Sequence, residues 1–348
     1  MKKYDFLYLT NSPAFYKINL MNEIARQRSV MVIFLGYSKD VVNIEITDKK
    51  EQYLFDYIFL TNSSIHNRNK IKTFFKLKNY LKKISFKKVI YTGWNDIEFS
   101  LMSFLIPPKK NCLQCESSIY ESHFSGIKGF IKKIIINRMS VALVSGEPHK
   151  QLFEGINYKG KIYLTQGVGI FNKIQKASGN DHINKPLKYL YVGRLIDVKN
   201  VEFLVSIFNQ MKKPLTIVGA GILDSVLRNT AKDNIEFRGF IENEKIAEVY
   251  QEHDIFVLPS KKEPWGLVVE EAIYNGLPVI VSEFVGCNID IVEKPKTGCV
   301  FLLENDHSFI DACDLVERNY ESYKKNAKNF NFDKRDEMQV ETYLNLLK

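Results

Sequence analysis

The stretch 259–282, PSKKEPWGLVVEEAIYNGLPVIVS, decides how this chain is read. Apolar residues 255–258 lead into it as a buried strand, and a basic loop carries Lys261 and Lys262. Pro264 and Gly266 shape the entry to a helix over 267–275, which Gly276 and Pro278 end before the next apolar strand, 279–281. A helix that starts at the end of a strand has first-turn amides without intrahelical partners, and its dipole favours an anion there. The amides around Gly266, Leu267 and Val268 are such a group, and the carboxylates of Glu263 and Glu271 flank it. Carboxylates repel a diphosphate, so their partners are expected to be hydroxyls: a ribose diol for Glu271 and the hydroxyls of a transferred sugar for Glu263.

The same strand-then-helix unit recurs on both sides of this stretch. Towards the N-terminus, strands at 6–9, 30–35, 88–91 and 141–144 alternate with helical patterns, such as Phe15, Ile18, Met21 and Ile24. Further strands at 187–192, 215–218 and 235–237 alternate with helices at 200–210 and 246–251. Such alternation implies α/β architecture with parallel sheets covered on both faces. The polar, aperiodic segment near 173–186 reads as a linker between domains at 1–172 and 187–332. Residues 333–348, with Met338, Val340, Tyr343, Leu344 and Leu347 in amphipathic spacing, read as a closing helix that packs back on the first domain. Two Rossmann-like, doubly wound domains facing across a cleft would place ligands at the carboxyl ends of both sets of strands.

Composition is consistent with a folded chain of two domains. The 348 residues are 45% hydrophobic and 26% charged. There is no apolar run long enough for a membrane span and no signal-peptide pattern at the N-terminus. Five scattered cysteines argue for a reducing compartment rather than a disulfide framework, so a cytoplasmic location is expected. The net charge of +9 is unevenly spread: Lys and Arg number 28 against 13 Asp and Glu in residues 1–180, and 21 against 27 in residues 181–348. A basic half joined to an acidic half implies that only one half meets an extended anion, such as a membrane face or a nucleic acid.

Glu263 and Glu271, seven residues apart in E-P-W-G-L-V-V-E-E-A, resemble the EX7E motif of family 4 glycosyltransferases of the GT-B fold, and Gly276-Leu277-Pro278-Val279 continues that pattern. Upstream, Tyr191-Val192-Gly193-Arg194-Leu195 followed by Lys199-Asn200 resembles the donor-phosphate segment of the same family. The resemblance implies that Arg194 and Lys199 clamp the diphosphate of a UDP- or GDP-linked hexose. It also implies that the loop of Gly239, Phe240 and Ile241 meets the base, and that Trp265 lies by the sugar. Gly219 and Gly221 serve either the ligand or merely a tight β–α turn. Transfer is expected to retain the anomeric configuration, by front-face attack without a protein nucleophile. The sequence contains no Asp-x-Asp pair, so neither a metal nor a bound cofactor is expected.

The first half resembles the family more loosely. Many members carry a His after a middle strand, but here the strand at 111–115 runs into Glu116-Ser117-Ser118. Glu116 either replaces the His as hydrogen-bond acceptor or base, or acts as an N-cap. Asn11-Ser12-Pro13 stands where the family has a Gly-Gly turn, making Asn11 and Ser12 acceptor candidates. Trp94 either stacks on a sugar at the cleft edge, with Asn95 and Asp96 on its hydroxyls, or packs in the core. Cys112 and Cys115 point to opposite faces of a strand and do not form a zinc site.

Lysines interleaved with aromatic and aliphatic residues over 70–88 and 127–135 suit either an interfacial helix on an anionic membrane or a solvated helix with a buried face. No nucleic-acid motif accompanies them. The acceptor is expected to be a saccharide or lipid-linked saccharide, in bacterial surface polysaccharide synthesis. A nucleotide-sugar epimerase of the same fold, or a non-catalytic sugar-binding scaffold, are the alternatives. An NAD-dependent oxidoreductase is disfavoured because Asp224 stands where the third glycine of a dinucleotide fingerprint belongs.

Overall fold

The computed structural model describes residues 1–37, 53–62, 64–174 and 186–348. Most of the linker expected at 173–186 falls outside the described residues. Two compact units form: Met1–Asn172 with Asp333–Lys348, and Lys173–Phe332.

The first unit is built on a seven-stranded sheet of order β3-β2-β1-β4-β5-β6-β7, every pairing parallel. Its strands are β1 (Lys2–Thr10), β2 (Val30–Phe34), β3 (Asp56–Phe59), β4 (Ile84–Thr92), β5 (Asn111–Cys115), β6 (Val141–Val144) and β7 (Lys161–Leu164). A parallel sheet needs helical cover on both faces, and β2, VMVIF, is accordingly buried along its whole length. Because crossovers are right-handed, the helices Lys70–Leu81, Ile97–Leu105, Gly126–Ile136 and Glu147–Gly155 share one face, where Leu77, Met102, Ile136 and Phe153 join a common core. Helix Phe15–Ala25 steps the other way and buries Ile18, Met21 and Ile24 on the opposite face.

The last helix, Phe332–Leu344, completes that second face. Val340, Tyr343 and Leu346 enter its core, the Tyr343 ring stacks on Tyr8 at 6.2 Å between centroids, and Gln339 donates to the Thr165 carbonyl. Cys112 and Cys115 lie in the cores of opposite faces, and all five cysteines are buried and free. The basic run 70–88 is divided between a helix and a strand: Lys87 and Lys88 belong to β4, where Lys87 pairs with Asp5 and Lys88 donates to the Lys109 carbonyl.

The second unit has a six-stranded sheet of order β10-β9-β8-β11-β12-β13, again all parallel. Its strands are β8 (Tyr189–Val192), β9 (Leu215–Val218), β10 (Ile235–Gly239), β11 (Ile255–Leu258), β12 (Val279–Ser282) and β13 (Gly298–Phe301). The strand order reverses beside β8, between the β8–β9–β10 series and β11, which opens a crevice at the carboxyl ends of β8 and β11. Among the described residues, no helix is long and apolar enough to cross a membrane.

Tyr343 is fully buried against Tyr8. Tyr343→Ala should therefore lower the stability of the first unit by about 3–5 kcal/mol, the usual cost of emptying an aromatic core site. Urea unfolding followed by intrinsic fluorescence would measure the change.

Candidate functional site

The polar centre of the second unit forms where the loops after β8, β9 and β11 converge. Gly219 (φ +142°) sits so close to the β8 loop that a Cβ there would lie 1.8 Å from the Gly193 carbonyl oxygen, and one at Gly221 would lie 2.2 Å from that of Leu195. Only glycine tolerates that approach. The loops are joined by Gly193 N–H donating to Val218, Leu195 N–H to Ala220 and Gly219 N–H to Gly239. Gly219 and Gly221 therefore pack loop on loop, the tight-turn alternative of the two read from sequence.

This packing presents Arg194 outward. Arg228, Arg238 and Arg318 each pair with a carboxylate, whereas the exposed Arg194 guanidinium has no protein partner among the described residues. One turn on, the short helix Asp197–Lys199 carries Lys199, whose ammonium contacts the Glu263 carboxylate. Both side chains are about one-seventh exposed (14% and 13%). The β8 and β11 loops are tied together by Lys261, whose amide donates to the Val198 carbonyl and whose ammonium pairs with Asp197 at 2.6 Å.

Glu263 is also held from behind, since its amide donates to Phe284 and its carbonyl accepts from Gly286. Gly266 (φ +108°) then turns the chain into helix Leu267–Tyr274. A Cβ there would press on Val285 and Val269 at 3.1 and 3.2 Å. Among the described residues, the amides of Leu267 and Val268 open this helix with no backbone acceptor. The site thus gathers a free guanidinium, an ammonium beside a carboxylate, and free helix amides. Such a set matches an anionic diphosphate joined to a hydroxyl-rich group.

The remaining residues sort differently. Trp265 does not line a pocket: its ring is 2% exposed and its indole N–H donates to Glu270 at 2.5 Å. The fully buried Glu270 is therefore the indole's partner rather than a solvated helix residue. Glu271 accepts from the Tyr250 hydroxyl at 3.1 Å, and burial pushes its carboxyl up to about 7. Phe240 is 68% exposed at the carboxyl end of β10, with Ile241 half-buried beside it, so Phe240 is not a core residue. Its ring is open to stacking.

In the first unit, the carboxyl edge of the sheet carries a second polar cluster. Glu116, just after β5, accepts from the Tyr16 hydroxyl at 3.0 Å and pairs with Lys17 at 2.9 Å. Burial works against the Lys17 ammonium, but the Glu116 carboxylate overcomes it and raises the pKa. Burial, with Glu116 adding to it, also raises that of Tyr16. Glu116 is therefore no N-cap; it is an ion-paired carboxylate whose own carbonyl contacts the ring of buried His149 at 3.1 Å.

Asp96 pairs with Arg68, which also grips the wholly buried Glu98; burial raises the Asp96 carboxyl despite that arginine. Trp94 takes the core position: it is 6% exposed and packs edge-on against Phe124. Asn95 is exposed, Asn11 accepts from the Ser12 amide, and Ser12 is buried. Lys17, Tyr16 and Arg68 were missed from sequence. Lys17 left one signal, a lysine on the stripe of Met21 and Ile24. No group of three or more His, Cys, Asp or Glu able to hold a metal stands among the described residues.

Residues 172–330, which span most of the second unit, match the family described as Glycosyl transferases group 1. A Klebsiella pneumoniae protein described as an uncharacterised 41.2 kDa protein in the cps region is 25% identical over 158 residues, 44% of each chain. An uncharacterised glycosyltransferase of Methanocaldococcus jannaschii is 30% identical over 136 residues, 36% of this chain and 35% of that one. The chain thus spans less than half the length of these curated relatives. The Anabaena protein HepE, solved with UDP, superposes with a TM-score of 0.73 at 14% identity, covering 98% of this chain and all of that one. The fold is GT-B, with two Rossmann-like units.

The raised Glu271 carboxyl makes a stability prediction. The folded state holds this proton up to about pH 7, while the unfolded chain loses it near 4.5. Between those values the folded state binds more protons, so stability falls as pH rises, by on the order of 3 kcal/mol in all. Thermal melts from pH 5 to 8 should show this slope in the wild type and its loss in Glu271→Gln.

Proposed function

We propose that this chain, whose residues 172–330 match the group 1 glycosyl transferase family, binds a UDP- or GDP-linked hexose there and transfers the sugar to a saccharide or lipid-linked saccharide acceptor. One observation carries the reading: the Lys199 ammonium of the β8 loop, which also bears Arg194, meets the Glu263 carboxylate of the β11 loop just before the helix that Leu267 and Val268 open, at the reversal point of the sheet. An ammonium touching a carboxylate suits the two sides of the bond that breaks. Lys199 and Arg194 meet the phosphate oxygens, and Glu263 meets the adjacent sugar hydroxyls. Glu271, its carboxyl half-ionised near pH 7, takes the ribose diol, whose hydroxyls favour the charged form. Phe240 supplies a face for the base.

In the step itself the bond from the anomeric carbon to the β-phosphate oxygen breaks and that oxygen keeps the electron pair. The acceptor oxygen bonds to the same face of the anomeric carbon, and its proton passes to the departing phosphate, so configuration is retained. Negative charge grows on the phosphate, where Arg194, Lys199 and the helix amides replace the role of a metal; losing one such donor commonly costs about 10²–10³ in rate. On the first unit, Glu116, held by Lys17 and Tyr16, receives an acceptor hydroxyl. We place the reaction in surface polysaccharide synthesis at the cytoplasmic face of a membrane. The Klebsiella relative from a cps region favours that setting.

In metal-free buffer, one nucleoside diphosphate family should raise the melting temperature of the wild type but not of Arg194→Ala or Glu271→Ala. No shift with any nucleotide, in a folded protein, would remove the transferase reading and favour a scaffold. Lys17→Met should keep the nucleotide shift yet lower transfer by roughly 10²-fold, the scale of losing one preorganised hydrogen-bonding group. Unchanged turnover in that variant would move the acceptor site elsewhere.

A further inference from the structure

The helices on one face of the first unit are inside out in their outer pattern. A surface helix normally points charge away from the core. At about 100° per residue, helix Gly126–Ile136 instead points Ile127, Phe130, Ile131 and Ile134 outward, opposite the buried Gly129 and Ile136. Ile127 is 80% exposed and Phe130 is 64% exposed. Lys128 and Lys132 line one flank of this crest and Lys133 the other.

Helix Ile97–Leu105 shows the same inversion with no charge on its exposed side. Its exposed side is Ile97, Leu101, Phe104 and Leu105, while its one acid, Glu98, is turned inward onto Arg68. Helix Lys70–Leu81 adds exposed Ile71 and Phe75, bordered by Lys72, Lys76 and Lys78. The three helices cover the same face of the sheet through Leu77, Phe99, Met102 and Ile136. They are neighbours: helices Lys70–Leu81 and Ile97–Leu105 pack together, and Arg138, just past helix Gly126–Ile136, lies 5.3 Å from the Phe104 ring centroid.

We propose that this three-helix face is a docking surface for an anionic lipid bilayer. Apolar crests flanked by lysines match an interface whose acyl boundary takes the side chains while its headgroups take the ammonium groups. The charge selects this occupant. Helix Lys70–Leu81 contains four lysines and no acid, and residues 126–138 contain three lysines, one arginine and no acid. A second copy docking face to face would oppose lysine to lysine, whereas an anionic leaflet attracts each of them. The proposal stands independently of the glycosyl-transfer reading, since it concerns lipid binding by the first unit.

Flotation of the full chain with vesicles tests it. Vesicles of phosphatidylcholine with about one third phosphatidylglycerol should carry the protein upward at low salt, and vesicles of phosphatidylcholine alone should not. Binding should fall by roughly tenfold in Phe130→Ser with Ile131→Ser, in Leu101→Ser with Leu105→Ser, and in Lys132→Glu with Lys133→Glu. Nucleotide-induced melting shifts should be the same in all three, which separates this test from that of the donor site. Should a pair fail to fold, Phe130→Trp gives a second readout: its emission shifts to the blue only when anionic vesicles are added. Three outcomes would overturn the proposal: a chain that stays in solution with anionic vesicles, binding that is indifferent to these substitutions, or a soluble dimer that Phe130→Ser with Ile131→Ser dissociates.

Discussion

The close approach of two backbone loops governs the second unit. With Gly219 nearly touching the Gly193 carbonyl, the loop after β8 is laid on the loop after β9 and cannot spread over the sheet edge. Arg194 is consequently turned outward, and the short helix that follows brings Lys199 to Glu263. The second clamp, Lys261 on Val198 and Asp197, joins the β11 loop to the same frame. A charged cluster assembled from three loops would otherwise scatter, because each side chain loses rotamer freedom on being held. Here rigid backbone contacts hold it.

Charge is handled oppositely in the two units. The second leaves the exposed Arg194 guanidinium without an ion-pair partner among the described residues and holds a carboxyl raised to about 7. Buried or partly buried charges without partners are costly and cluster where a ligand is to be met. The first unit neutralises its charges internally: Lys17 against Glu116, and Arg68 against both Asp96 and Glu98. Removing one member of such a buried pair strands the other, so these groups act as sets. The outer helices of the first unit depart from both habits, leaving apolar side chains in water beside lysines that have no acids nearby in sequence.

Much of the charged cluster in the second unit was legible in the sequence because its signals are local. Strand ends, Gly266 at a helix entry and the spacing of Glu263 and Glu271 each depend on a few adjacent residues. Side-chain direction was not legible. Trp265 and Glu270 are five residues apart, yet nothing in the spacing says that the indole turns inward to that carboxylate. Trp94, followed by Asn95 and Asp96, read equally well as a sugar platform and as core; packing against Phe124 decided it.

The alternation of apolar runs and helical periods by itself determined two parallel α/β units, since burial on both faces of a parallel sheet leaves that imprint on every strand. It also determined which loops gather at one edge of each sheet, because parallel strands all end on the same side. The tertiary structure alone decided the partners. Tyr16 and Lys17 meet Glu116 across a hundred residues, Arg68 meets Glu98 across thirty, and Tyr8 meets Tyr343 from the far end of the chain. It alone showed that helix Ile97–Leu105, apolar enough to pass for core, keeps four large side chains in solvent. Periodicity reports which residues share a face. Whether that face is covered depends on what the rest of the chain brings to it.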